Sequence, residues 1–213
     1  MLPNDTQRLA IVGRTGSGKT QAAAWHLSNR SYDKMPWIIF DFKYDTLLNE
    51  IDGVQELKLG QIPKKPGLYI VHPMPDQEDE VDDYLIKIWA NENIGVYIDE
   101  GYMIKDRRAL RSILTQGRSK HIPMIILSQR PVWLSRFVFS EADFYQIFWL
   151  NDQRDRKTLA AFVPFDMHEK LENYHSIYYD VGNDKLYRWQ PVPDKETILA
   201  TFDRRLTNKT KFI

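Results

Sequence analysis

The chain has 213 residues, 43% of them hydrophobic and 27% charged, which is enough to build a core and excludes a disordered chain. Lys plus Arg, 29, equals Asp plus Glu, 29, so a globally basic nucleic-acid coat is excluded, although a local basic patch is not. Cysteine is absent, which excludes disulfides, thiolate metal sites and a cysteine nucleophile.

At roughly 150 residues per domain, one domain with extra elements is expected. Leu9 to Val12 reads as a buried strand and Gly18 to Asn29 as a helix. Strands follow at Trp37 to Phe40 and Leu68 to Val71, then a helix over Val81 to Ala90 with Val81, Tyr84, Leu85 and Ile88 at helical spacing. Ile94 to Ile98 is a strand, Arg107 to Gln116 a helix and Met124 to Leu127 a strand. Gln146 to Leu150 reads as a strand and Asp152 to Phe162 as a helix. His175 to Val181 and Leu186 to Val192 flank Gly182-Asn183-Asp184, a hairpin signal. Apolar β-branched runs separated by helices predict a mostly parallel sheet buried on both faces, an α/β fold. The expected division is an α/β core over 1–165, with an antiparallel hairpin and a basic, polar tail over 166–213 packed on the same domain. The tail carries Arg204, Arg205, Lys209 and Lys211.

No membrane or export segment is expected. Met1 to Arg8 is polar, and the most apolar long stretch, Val132 to Leu150, is broken by Arg136, Glu141 and Asp143. The histidines (His26, His72, His121, His168, His175) show no metal spacing and read as ordinary core or surface residues. The tryptophans and phenylalanines read as core before base-stacking platforms.

Charge is clustered. Asp76 to Asp83 holds six acids in eight positions, and Lys105 to Lys120 holds six basic residues against one acid. Arg107, Arg111 and Arg118, at helical spacing, are expected to share one helix face opposite Leu110, Ile113 and Leu114.

Gly13-Arg14-Thr15-Gly16-Ser17-Gly18-Lys19-Thr20 fits G-x-x-x-x-G-K-[ST] in full, with a strand before it and a helix after it. The glycines let consecutive N–H groups face one concavity, and the helix start adds its positive end, so the segment cradles phosphate. Lys19 is expected on the β- and γ-phosphates and the Thr20 hydroxyl on Mg²⁺. Val96 to Glu100 is an apolar strand ending in two acids. Asp99 is the expected Mg²⁺ partner, and Glu100 is placed to deprotonate a water, which suits hydrolysis over transfer to a small acceptor. The spacing from Lys19 to Asp99 suits RecA-like ATPases, in which a further strand lies between the two motifs. Gln129, in Ser128-Gln129-Arg130-Pro131 after the next strand, is expected to sense the γ-phosphate or position the water.

These segments resemble the FtsK/HerA superfamily of P-loop ATPases: GRTGSGKT, the strand WIIFDFK with Asp41 and Lys43, YIDE, GRSKHIPMIILSQRP and LNDQRDRKTL. They span residues 9 to about 160. Within the superfamily the chain is most similar to the genome-packaging ATPases of tailless double-jelly-roll icosahedral viruses. The resemblance implies an ATP- and Mg²⁺-dependent motor that moves double-stranded DNA without sequence preference. It implies a homo-oligomeric ring, hexameric or pentameric, in the host cytoplasm and at the virion vertex, with capsid or portal proteins as further partners. It also implies a trans-acting arginine finger at Arg118. That residue is expected near the nucleotide-bearing edge because it precedes the strand delivering Gln129. The alternatives are a cellular or plasmid motor for conjugation or DNA processing, a P-loop small-molecule kinase, and a binding module with an inactive P-loop.

Overall fold

A computed structural model of the chain describes residues 2–207. Its frame is a nine-stranded sheet. The strands are β1 (Arg8–Val12), β2 (Pro36–Phe40), β3 (Gln55–Glu56), β4 (Gly67–Val71), β5 (Gly95–Ile98), β6 (Met124–Ser128), β7 (Phe144–Ile147), β8 (Ser176–Asp180) and β9 (Lys185–Trp189). Their spatial order is β3-β4-β2-β5-β6-β1-β7-β8-β9. Pairing is parallel from β3 across to β7 and antiparallel at β7–β8 and β8–β9. The hairpin thus continues the main sheet, and β6 lies between β1 and β5.

Helices α1 (Lys19–Ser28), α2 (Thr46–Asn49), α3 (Glu78–Asn91), α4 (Arg108–Gln116), α5 (Arg136–Ser140), α6 (Gln153–Ala160) and α7 (Lys195–Thr207) cover the sheet. The parallel strands β1, β4, β5, β6 and β7 are buried throughout, and β2 from Trp37 on, because both faces are covered and alternate residues serve different cores; the short edge strand β3 is exposed. In β2, Ile38 and Phe40 join Tyr84, Leu85 and Ile88 of α3 and Leu110, Ile113 and Leu114 of α4 in one layer. Trp37 and Ile39 join Ala23 and Leu27 of α1 and Ile198 and Phe202 of α7 in the other.

Three sequence expectations change. The strand expected over Gln146 to Leu150 begins earlier, at Phe144, because Phe144 to Ile147 are the residues in register with Leu9 to Val12. The stretch after residue 194 is a helix, not a polar tail, through Thr207. Asp194 accepts a hydrogen bond from the Thr197 amide at 2.9 Å, and buried Ile198, Thr201 and Phe202 face inward while Arg204 and Arg205 occupy its last turn. Lys209 and Lys211 lie outside the described residues.

The third change concerns charge. The acidic start of α3 and the basic stretch around α4 are neighbours and neutralise one another. Lys105 pairs with Glu78, Arg107 with Asp79, and Lys120 with Glu92 at 2.6 Å, while Arg111 pairs with Asp106 at 2.8 Å. Arg118 does not share the α4 face. The helix ends at Gln116, and Arg118 falls in the following turn.

Phe202 is fully buried and stacks on Tyr32 with ring centroids 6.4 Å apart. Phe202→Ala is expected to cost about 3–5 kcal/mol of stability, read as a lower urea midpoint. A midpoint equal to wild type would mean that α7 adds nothing to the core.

Candidate active site

A parallel sheet sends the C-terminal ends of its strands to one edge, so residues far apart in the chain meet there. Gly13 follows β1, Asp41 follows β2, Asp99 and Glu100 follow β5, and Gln129 follows β6. Backbone bonds tie these tips together: the Gly13 amide donates to the Ser128 carbonyl at 3.2 Å, and the Asp99 amide to the Phe40 carbonyl at 3.0 Å.

The Gly13–Thr20 loop curls into the start of α1. Gly18, at φ 92°, takes a left-handed conformation that side-chain-bearing residues rarely adopt. Gly13 is fixed by space, since a Cβ there would stand 2.6 Å from Ser17 Oγ and 2.7 Å from Phe148 Cβ. Lys19 is buried, and that burial pushes its ammonium below the usual lysine range; Glu100 opposes the shift and Lys43 adds to it.

Glu100 is fully buried at a left-handed φ of 58°. Its Oε1 accepts from Gln129 Nε2 at 2.6 Å and from the Lys43 ammonium, with Lys19 Nζ 3.9 Å away. The Gln129 amide oxygen accepts from the Thr15 hydroxyl, so one side chain links the loop to the acid. Non-glycine residues held in this backbone region concentrate at functional sites because surrounding contacts must hold them there.

Asp99 is buried too, yet neither of its carboxylate oxygens has a hydrogen-bond partner. Burial pushes its carboxyl up to about 7. A buried carboxylate with no hydrogen-bond partner among the described residues fits a hard divalent cation, which prefers oxygen donors and negative charge.

Sequence reasoning noted Lys43 without giving it a task. The structure puts its ammonium on Glu100. Asp41, fully buried, shapes the turn that presents it, accepting from the Lys43 amide at 3.1 Å, the Asp45 amide at 2.9 Å and Asn49 Nδ2 at 2.9 Å. The local signal was the Asp-x-Lys at a strand tip, but only the adjacency of β2 and β5 reveals the contact.

Arg118 is not at this edge. The Asn93 amide, just before β5, donates to the Lys120 carbonyl at 2.9 Å, and the Arg8 guanidinium at the start of β1 donates to the Leu114 carbonyl. The 117–120 turn therefore stands at the opposite, N-terminal edge, because α4 carries the chain back across the sheet before β6 begins. Arg118 is exposed and has no ion pair among the described residues. Arg130, another cation near the site, is engaged by Asp152 at 3.3 Å and Asp155 at 2.8 Å. His26 is a core residue. It is buried, bonds Gln146 Oε1 at 2.8 Å and packs near-parallel to the rings of Tyr178 and Trp189, at centroid distances of 5.9 and 5.4 Å, and burial lowers its pKa to about 3.

The sequence is 52% identical over 214 residues to DNA packaging ATPase P9 of Enterobacteria phage PRD1, covering 95% of this chain and 94% of that protein. The chain belongs to the P9 family of DNA packaging ATPases. No family model matches it. The fold is similar to the genome packaging NTPase B204 of Sulfolobus turreted icosahedral virus 2 in complex with AMPPCP. That likeness has a TM-score of 0.70 at 19% identity, over 89% of this chain and 100% of that one. It is similar as well to EssC ATPases 2 and 3 of Geobacillus thermodenitrificans, at TM-score 0.68 and 14% identity, over 98% of this chain and 45% of that one. These structural likenesses carry the fold, a mostly parallel sheet flanked by helices.

In the unfolded chain the Asp99 carboxyl titrates near 3.8, and in the folded, cation-free protein near 7. Folding favours the neutral acid, so its contribution to stability is full below the lower value and is lost as pH rises to about 7. Asp99→Asn removes that loss. In melts without divalent cation or nucleotide, the variant is expected to gain on wild type at pH 8, with the gap narrowing at pH 5. A gap independent of pH would contradict the assignment.

Proposed function

We propose that the chain is an ATP-driven motor that moves double-stranded DNA into a preformed viral capsid. The observation that carries this is the near-full-length kinship with a DNA packaging ATPase, in a chain whose P-loop lysine, strand-tip acid pair and glutamine converge on one sheet edge.

In this reading Gly13, Arg14, Thr15, Gly16, Ser17 and Gly18 cradle the triphosphate with backbone N–H groups, and Lys19 neutralises the β- and γ-phosphates. Thr20 and Asp99 would hold Mg²⁺, which when bound supplies positive charge against those phosphates. Glu100 accepts a proton from the water whose oxygen bonds to the γ-phosphorus, and the bond to ADP breaks with its electrons on the β-phosphate oxygen. Lys43 and Gln129 hold the Glu100 carboxylate in position, and Gln129, also bonded to Thr15, registers a filled loop. Lys19→Ala is expected to abolish hydrolysis. Glu100→Gln keeps the shape but cannot take the proton, so it should bind ATP while turnover falls at least a hundredfold, with or without double-stranded DNA. Normal turnover in Glu100→Gln would remove the catalytic-base role.

DNA contact through phosphates would be independent of sequence and weakened by salt. The ion pairs around α4 leave Arg108 and Arg118 as the cations of that segment with no ion pair among the described residues, so most of it is not a ready phosphate track. Host cytoplasm and the virion vertex are the matching locations, with capsid or portal proteins as partners. Among the described residues no helix is long and apolar enough to cross a membrane.

A ring gives Arg118 a task. Facing away from its own phosphate site, exposed and free of an ion pair among the described residues, it suits a neighbour's site, where such fingers are worth about 10³ to 10⁵ in rate. Arg118→Ala and Lys19→Ala, each inactive alone, are expected to regain ATPase when mixed. No recovery in assemblies shown to be mixed would remove the trans role.

A further inference from the structure

The nucleotide reading accounts for the phosphates and leaves the base without a seat. On that reading the terminal phosphate lies by Glu100 and Gln129, and the chain of phosphates leaves past Lys19 at the first turn of α1, where Gln21 stands. At that exit the structure has a cleft of about 300 Å³. Gly18 and Gln21 form its floor, Phe148 and Val192 supply apolar wall, and the Tyr174 ring forms one side.

Tyr174 is an unusual residue to find there. It is bulky, 55% exposed, and at φ 63° occupies the left-handed region that such side chains avoid. Its ring lies over the phosphate loop, so that a Cβ on Gly18 would come within 3.0 Å of Tyr174 Cδ1. Neighbouring contacts hold the loop in place. The His175 amide donates to the Glu172 carbonyl at 3.2 Å, and the His175 ring bridges the Asn173 carbonyl at 3.1 Å and Gln190 Oε1 at 2.8 Å. The opposite wall is anchored to α1 by Gln21 Nε2, which donates to the Pro193 carbonyl at 2.7 Å. An aromatic ring kept exposed, in a disfavoured backbone conformation, beside a mostly apolar cleft continuous with the phosphate loop, is suited to stacking on a flat heterocycle.

We infer that the cleft between Tyr174 and Val192 is the nucleobase site, with the base stacked on the Tyr174 ring. The inference rests on the nucleotide reading and extends it to a part of the ligand that the Gly13–Thr20 motif does not touch. The hydroxyl of Tyr174 has no part in it; the ring does.

The test compares a non-hydrolysable ATP analogue with inorganic tripolyphosphate, which carries the phosphates without the base, both with Mg²⁺ and titrated by calorimetry. Tyr174→Ala is expected to weaken the analogue by about tenfold, the scale of one base–aromatic stack. It should leave tripolyphosphate affinity unchanged, and Tyr174→Phe should bind the analogue like wild type. Three results would overturn the base site alone: unchanged analogue affinity in Tyr174→Ala, equal loss for both ligands, or a wild-type protein that binds the analogue no tighter than tripolyphosphate. A wild-type protein that binds neither ligand would overturn the nucleotide reading and this inference together.

Discussion

Two carboxylates stand side by side at the tip of β5, where the protein has excluded water from both, and the surrounding structure treats them differently. Ionised groups out of water need a partner or must give up their charge. Glu100 receives Lys43, Lys19 and the Gln129 amide, drawn from the tips of β2, β1 and β6. Asp99 receives no hydrogen bond. The contrast is one of partners: the first acid is held in place by three donors, and the second has none. The strand order is what allows it, because only with β6 between β1 and β5, and β2 beyond β5, do four tips converge on one acid.

The same constraint explains the position of Lys43. Its backbone follows a turn built on the buried Asp41, and its side chain crosses to a neighbouring strand. A second cation so close to Lys19 adds to the shift that burial imposes on the Lys19 ammonium, and Glu100 between them offsets part of it. Removing either partner would leave the remaining buried group uncompensated, which is why the cluster behaves as a unit.

Away from this edge, charge serves packing and solvation. The acidic start of α3 and the basic residues around α4 look in sequence like two opposite binding patches, and in space they are each other's counter-ions. Linear charge density is a poor guide to surface potential whenever the fold brings two such runs together.

The phosphate loop, the acid pair and most strands were legible in the sequence because each is a local pattern: glycines at fixed spacing before Lys19, an apolar run ending in Asp99-Glu100, β-branched stretches four or five residues long. The spacing from Lys19 to Asp99 suggested that a further strand lies between the two motif strands, and the fold shows that this strand is β6. What the sequence could not provide were relations across the sheet. The start of β7 was displaced because apolar character continues from Phe144 to Leu150 and only pairing with β1 selects the register. Helix α7 was hidden because its apolar side is a few residues, Ile198 and Phe202 among them, in a polar segment, and its stability comes from packing beside α1. Arg118 appeared close to Gln129 because it is near in sequence, whereas a parallel strand carries its two ends to opposite edges. Lys43 on Glu100, and Tyr174 over Gly18, are contacts between segments 57 and more than 150 residues apart. Local chemistry determined which groups the protein carries; burial and strand order, which act only in the folded chain, decided which of them meet.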